Sequence, residues 1–102
     1  MNPITFHPEA RTEALAAGDY YEACVPGLGL AFVDTLETAF AHIAERPQSF
    51  TVHEATGTRK CVLPRFPYLI FFLERHDRLW IIAIAHASRK PEYWHDRLNA
   101  LQ

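Results

Sequence analysis

Six histidines, two cysteines and two serines are the residues best suited to bind a metal or act as nucleophiles, and their spacing argues against both roles. His7, His42, His53, His76, His86 and His95 form no His-x-x-x-His pair and no His-Glu-x-x-His motif, so no zinc site is expected. Ser49 and Ser88 sit in no nucleophile-elbow sequence. Gly27 and Gly29 join two helical segments and follow no strand, which argues against a phosphate-cradling loop. Glu9 and Glu13 share a helix face at i and i+4 and read as solvated surface. Cys24 and Cys61 lack ligand spacing and read as two buried, reduced thiols of a cytoplasmic protein; a secreted domain that needed bridges would carry more. No metal and no cofactor is expected.

The chemical signal lies in the placement of charge. Residues 1–58 hold eight acidic and two basic side chains, a net of −6, and residues 59–102 hold four acidic and eight basic ones, a net of +4; together they give the chain's −2. A small domain polarised in this way points to an anionic partner on its basic side.

The elements that must position these charges follow from periodicity. Ile4 to His7 alternates as a short strand does. Pro8 suits the first position of a helix, and Glu9 complements its dipole, although His7 is a poor cap. The spacing of Ala10, Ala14, Ala17 and Tyr21 predicts a helix from Glu9 to about Ala23. Val25-Pro26-Gly27-Leu28-Gly29 breaks it. A second helix runs from Leu28 or Leu30 to Arg46, with Phe32, Leu36, Ala39, Phe40 and Ile43 on one face, and Pro47 ends it. The short break predicts an antiparallel helical hairpin. Residues 48–58 read as a polar connection.

Beyond that connection the period changes. Strands are expected at Arg59–Leu63, Tyr68–Leu73 and Leu79–His86. The last two are apolar on both faces and belong inside a sheet. The helical hairpin can cover only one of those faces, so loops, the tail or a partner must line the other. Pro91-Glu92 is a plausible helix start in the tail. The expected architecture is α+β, in the order β-α-α-β-β-β, as one domain over residues 1–102.

Composition agrees with this reading. With 102 residues, 49% apolar and 22% charged, the chain can bury a core of its own, and it is not disordered. Its apolar stretches, such as Tyr68 to Leu73, are far too short to span a membrane. Met1-Asn2-Pro3-Ile4 has no cationic segment followed by an apolar one, so no signal peptide is expected.

Taken in order, Phe6-His7-Pro8-Glu9-Ala10-Arg11, Tyr20-Tyr21, Pro26-Gly27-Leu28-Gly29, Arg59-Lys60, Arg65-Phe66-Pro67-Tyr68, Ala85-His86 and Arg89-Lys90-Pro91-Glu92-Tyr93-Trp94 resemble the ParE branch of the RelE/ParE superfamily of bacterial type II toxin–antitoxin systems. The resemblance covers nearly the whole chain. It implies a helical hairpin on an antiparallel sheet. It also implies a toxin neutralised by an antitoxin whose disordered tail folds on binding. ParE-branch toxins act on DNA gyrase, whereas RelE-branch toxins cut messenger RNA on the ribosome, and fold alone does not choose between them.

If the chain were RelE-like, Arg65 would hold a phosphate, His86 would supply an acid–base side chain, and Tyr93 would stack on a base or move a proton. That branch is usually lysine-rich and strongly basic. Two lysines and a pI near 6.3 weigh against docking into ribosomal RNA. The ParE-like reading therefore needs no catalytic residue. It expects Arg59, Arg65, Arg89, Lys90, Tyr93 and Trp94 to bind antitoxin or target, with no sequence-specific nucleic-acid contact. Adjacent strand residues point to opposite faces, so at most one of Arg59 and Lys60 joins a shared patch. A degenerate, non-toxic family member is the third possibility.

Overall fold

A histidine does the work expected of a serine or aspartate at the start of the first helix. In the computed structural model, which describes residues 3–101, the chain enters through strand β1 (Ile4–Phe6) and turns at His7 into helix α1 (Pro8–Cys24). The His7 Nδ1 accepts the Glu9 N–H at 3.1 Å, and Pro8 fills the first helical position. Helix α2 (Leu28–Glu45) begins at Gly27, which has φ +89° and no side chain to cap with. The Glu22 carboxylate of the preceding helix supplies the cap, accepting the N–H groups of Gly27 and Gly29 at 3.0–3.1 Å. It also sets negative charge at the positive end of the α2 dipole.

A 3-10 turn (Pro47–Ser49) leads into β2 (Thr51–His53), β3 (Thr58–Val62), β4 (Tyr68–Arg75) and β5 (Arg78–His86). The strands form one sheet in the order β1-β5-β4-β3-β2. The expected α+β architecture with a helical hairpin on the sheet is present, with two additions. β2 lies within the stretch read as a polar connection. Its three residues are all exposed on the sheet edge, so no burial pattern marks them. β1 pairs parallel to β5, which makes the sheet mixed where the sequence predicts an antiparallel one.

β4 and β5 sit in the interior of the sheet and bury both faces, as their composition demands. The helix side holds the larger core, where Phe32, Ile43, Ile70, Phe72, Leu79 and Ile81 are fully enclosed. Tyr21, Phe32, Phe66 and Tyr68 pack edge-on or tilted, with ring centroids 4.9–6.2 Å apart. The other side holds a smaller core made by the chain's own tail. Trp94 is 2% exposed and its ring lies 4.8 Å from that of Phe71, while Leu101 packs beside Leu73, Ile82 and Ala83.

The tail does not start a helix at Pro91. Glu92 adopts φ +60°, outside the helical region, and only a 3-10 segment (His95–Ala100) follows. The expectation of two buried thiols also needs correction. Cys61 is buried, and burial pushes its thiol up, whereas Cys24 is exposed at the end of α1. Among the described residues no helix is long and apolar enough to cross a membrane.

The two helices touch closely where Gly18 meets Gly29. A Cβ at position 29 would lie 2.7 Å from the Gly18 carbonyl oxygen and 2.9 Å from the Glu22 Cβ, whereas one at position 18 meets nothing nearer than 4.0 Å. Gly29→Ala should therefore lose about 1–3 kcal/mol of stability in chemical denaturation, from overpacking against backbone that cannot yield. Gly18→Ala should be neutral or mildly stabilising, because alanine is the better helix former.

Candidate functional site

The site is built around an interruption in the sheet. β1 pairs with β5 only as far as Ile81, whose carbonyl accepts the His7 N–H at 2.9 Å, and the chain then turns away into α1. At the same level β5 bulges. Phe72 faces Ile81 and Phe71 faces Ala83, so Ile82 has no opposite number. The freed backbone groups are met by side chains. Arg97 Nη1 donates to the Ile82 carbonyl at 2.9 Å, and the Ile84 N–H donates to Glu13 Oε1 at 3.0 Å.

Glu13 and Arg97 also meet each other in a two-pronged pair at 2.8 and 2.9 Å, and the Tyr93 hydroxyl donates to Glu13 Oε2 at 2.5 Å. Burial by itself would push the Glu13 carboxyl up. The donors from Arg97, Tyr93 and Ile84 outweigh it and hold the group below the ordinary value of 4.5. Burial and the neighbouring Glu13 raise the Tyr93 hydroxyl well above a normal phenol, so it stays a donor. Glu13 is thus a part-buried anchor and not the solvated surface expected from its i, i+4 relation to Glu9.

This clasp fixes the tail across part of the second sheet face and leaves the rest open. The open part is a groove of about 370 Å³. Leu69, Phe71 and Ala85 line it together with Lys60, the rim is formed by β2 and by residues 87–94, and Tyr93 and Trp94 wall one end. Lys60, Arg89 and Lys90 line it, and among the described residues none of them has a carboxylate within ion-pairing distance. Arg89 instead lies 3.8 Å over the Tyr93 ring. A lone acid, Glu92, lies among the lining residues, paired with His53 at 3.4 Å.

The structure thus brings Lys90, Arg89, Tyr93 and Trp94 to one groove, with Lys60 joining them. Arg59 and Lys60 do part to opposite faces. Lys60 sits opposite Phe71 on the groove side, while Arg59, although it also borders the groove, sits opposite Phe72 and has its guanidinium donating to the Phe50 carbonyl at 2.8 Å. Arg65 lies elsewhere. It occupies a turn at φ +70° with its guanidinium over Phe66, whose ring packs on the helical hairpin. His86 borders the groove, with its Nδ1 engaged by Ser88 at 2.7 and 3.0 Å. Arg65, His86 and Tyr93 therefore do not converge on one point, and the Tyr93 hydroxyl is already committed to Glu13.

The arrangement offers cations and an apolar floor to an anionic chain. Sequence reasoning missed Glu13 and Arg97, and left Lys60 as the alternative to Arg59. One signal for Glu13 was present: it falls inside the Ala10, Ala14, Ala17 stripe, on the face that α1 buries.

Comparison with known proteins agrees with the fold. A family model described as the ParE toxin of the type II toxin–antitoxin system parDE matches residues 4–91. The match ends before Glu92, Tyr93, Trp94 and Arg97. No curated protein sequence matches the chain. Among solved structures, the chain is similar to one from the chromosomal ParDE TA system of P. aeruginosa, with a TM-score of 0.74 and 19% identity, over 84% of this chain and 96% of that one.

The clasp makes a pH prediction. Because Glu13 titrates lower in the folded chain than its ordinary 4.5, its stabilisation is complete above that value and is lost as pH falls through the folded value. Glu13→Gln should cost about 2–3 kcal/mol at neutral pH. It should also flatten the acid limb of the stability curve, measured by urea denaturation at stepped pH.

Proposed function

The chain belongs to the family of ParE toxins of type II toxin–antitoxin systems, and from that premise we propose that a cognate antitoxin holds it silent and that DNA gyrase is its target when released. The observation that carries the antitoxin half of this reading is the groove. Three cations with no carboxylate in ion-pairing distance among the described residues, beside an apolar floor, suit a segment that carries both carboxylates and aliphatic side chains. An antitoxin tail that is disordered when free would spend part of its binding energy on ordering, and would gain a large wrapped surface in return.

The toxin would act by binding and not by chemistry of its own. A RelE-type cut needs a base, an acid and a phosphate clamp around one bond. Arg65, His86 and Tyr93 are not gathered for that, which supports gyrase over the ribosome. The cytoplasm is the compartment that fits a gyrase-directed toxin with a free thiol at Cys24 and another at Cys61.

Expression from a tightly controlled promoter in a bacterium tests the reading, with and without the small reading frame next to its gene. The expected result is arrested DNA synthesis with gyrase-dependent DNA breaks, relieved by co-expression of the neighbour. Cuts at defined codon positions in messenger RNA would overturn the gyrase target, and normal growth would overturn toxicity.

A further inference from the structure

The groove is not empty of anions, because the chain places one of its own there. Glu92 is the one carboxylate among the lining residues, and it reaches across to His53 on β2 at 3.4 Å. It does so from an awkward backbone position. At φ +60° it occupies the left-handed region, where glycine or asparagine would sit with less strain, in a turn that follows Pro91 directly. Both members of the pair are about half exposed, so their contact is easily exchanged for another. Around them stand Lys60, Arg89 and Lys90, with no carboxylate in ion-pairing distance among the described residues.

We infer that Glu92 is a stand-in for a carboxylate of an acidic, apolar-alternating peptide, which binds beside it along Lys60, Arg89 and Lys90. The inference rests on the groove being the seat of the antitoxin segment. It adds the occupant's chemistry and a residue that sets its affinity. The charge balance commits the groove to this occupant: its cations outnumber its acid, and Leu69, Phe71 and Ala85 give it an apolar floor that a peptide's aliphatic side chains can cover. Glu92 weakens capture, because the incoming carboxylates must share the groove with a like charge. It also favours partners able to outcompete it, a form of discrimination built from repulsion.

Titration calorimetry of the full-length chain with a synthetic peptide of alternating leucine and glutamate tests this, with a leucine–lysine peptide as the control. Glu92→Gln and Glu92→Gly should each bind the acidic peptide about two- to fivefold more tightly, the range that an exposed charge interaction commands. Lys60→Glu should weaken binding by more than that, and the lysine peptide should not bind. Glycine is at ease at a positive φ, so Glu92→Gly should melt no lower than the parent and separates affinity from folding.

If both Glu92 variants bind equally or more weakly while Lys60→Glu still weakens binding, the stand-in role is overturned and the groove reading survives. If Lys60→Glu changes nothing, or the parent does not bind the acidic peptide, the groove reading falls as well. If oligouridylate displaces the peptide and itself binds more tightly once Glu92 is gone, the occupant is RNA and the peptide assignment is overturned.

Discussion

A sheet edge that loses its partner strand must have its backbone groups satisfied by something else, and in this fold that requirement organises the rest. β1 pairs with β5 over three residues and then becomes α1. The carbonyl of Ile82 and the N–H of Ile84 are left to side chains, and Arg97 and Glu13 take them. Each would be costly alone, since a half-buried charge without a partner forfeits its solvation. Paired, they satisfy the strand and one another. They also tie α1 to a tail that is 84 residues away in sequence, so the clasp decides where the tail can lie.

The two faces of the sheet then acquire different characters. The helix side is closed by aromatic and aliphatic packing. The second side is closed only where Trp94 and Leu101 reach, and the strip beside them stays open with cations along it. Collecting Lys60, Arg89 and Lys90 with no carboxylate in ion-pairing distance among the described residues raises the energy of the free state through mutual repulsion. Such a cost at a surface is relieved when an anionic ligand arrives, so it becomes part of the binding energy. Arg89 lessens the strain by lying on the Tyr93 ring, which the clasp itself holds in place.

The hairpin, the three long strands and the doubly apolar character of β4 and β5 were legible in the sequence because each carries a period or a breaker of its own. Pro47 and the Pro26-Gly27 break fixed the helix limits to within a residue or two. The parting of Arg59 and Lys60 followed from the strand pleat. What could not be read was long-range. β2 has no buried face, and its pairing with β3 exists only through the turn at Gly57. Glu13 looks like half of a surface pair with Glu9, because its true partner is Arg97, and no local pattern announces that meeting. The tail's aromatics could be placed on the sheet from their composition, but Glu92 at a positive φ is not a conformation that the Pro91-Glu92 sequence suggests. Of the cations singled out by charge segregation, Arg65 fell outside the groove because turn geometry, and not charge, decides its direction.

The most direct test of the account is backbone amide exchange of the chain, free and in complex with the proposed antitoxin. The account predicts that binding slows exchange in β2, in β3 around Lys60 and in residues 85–94 at the groove rim, with smaller changes along the outer surface of α1 and α2. Protection confined to the helical hairpin, with the groove segments exchanging as fast as in the free chain, would contradict it.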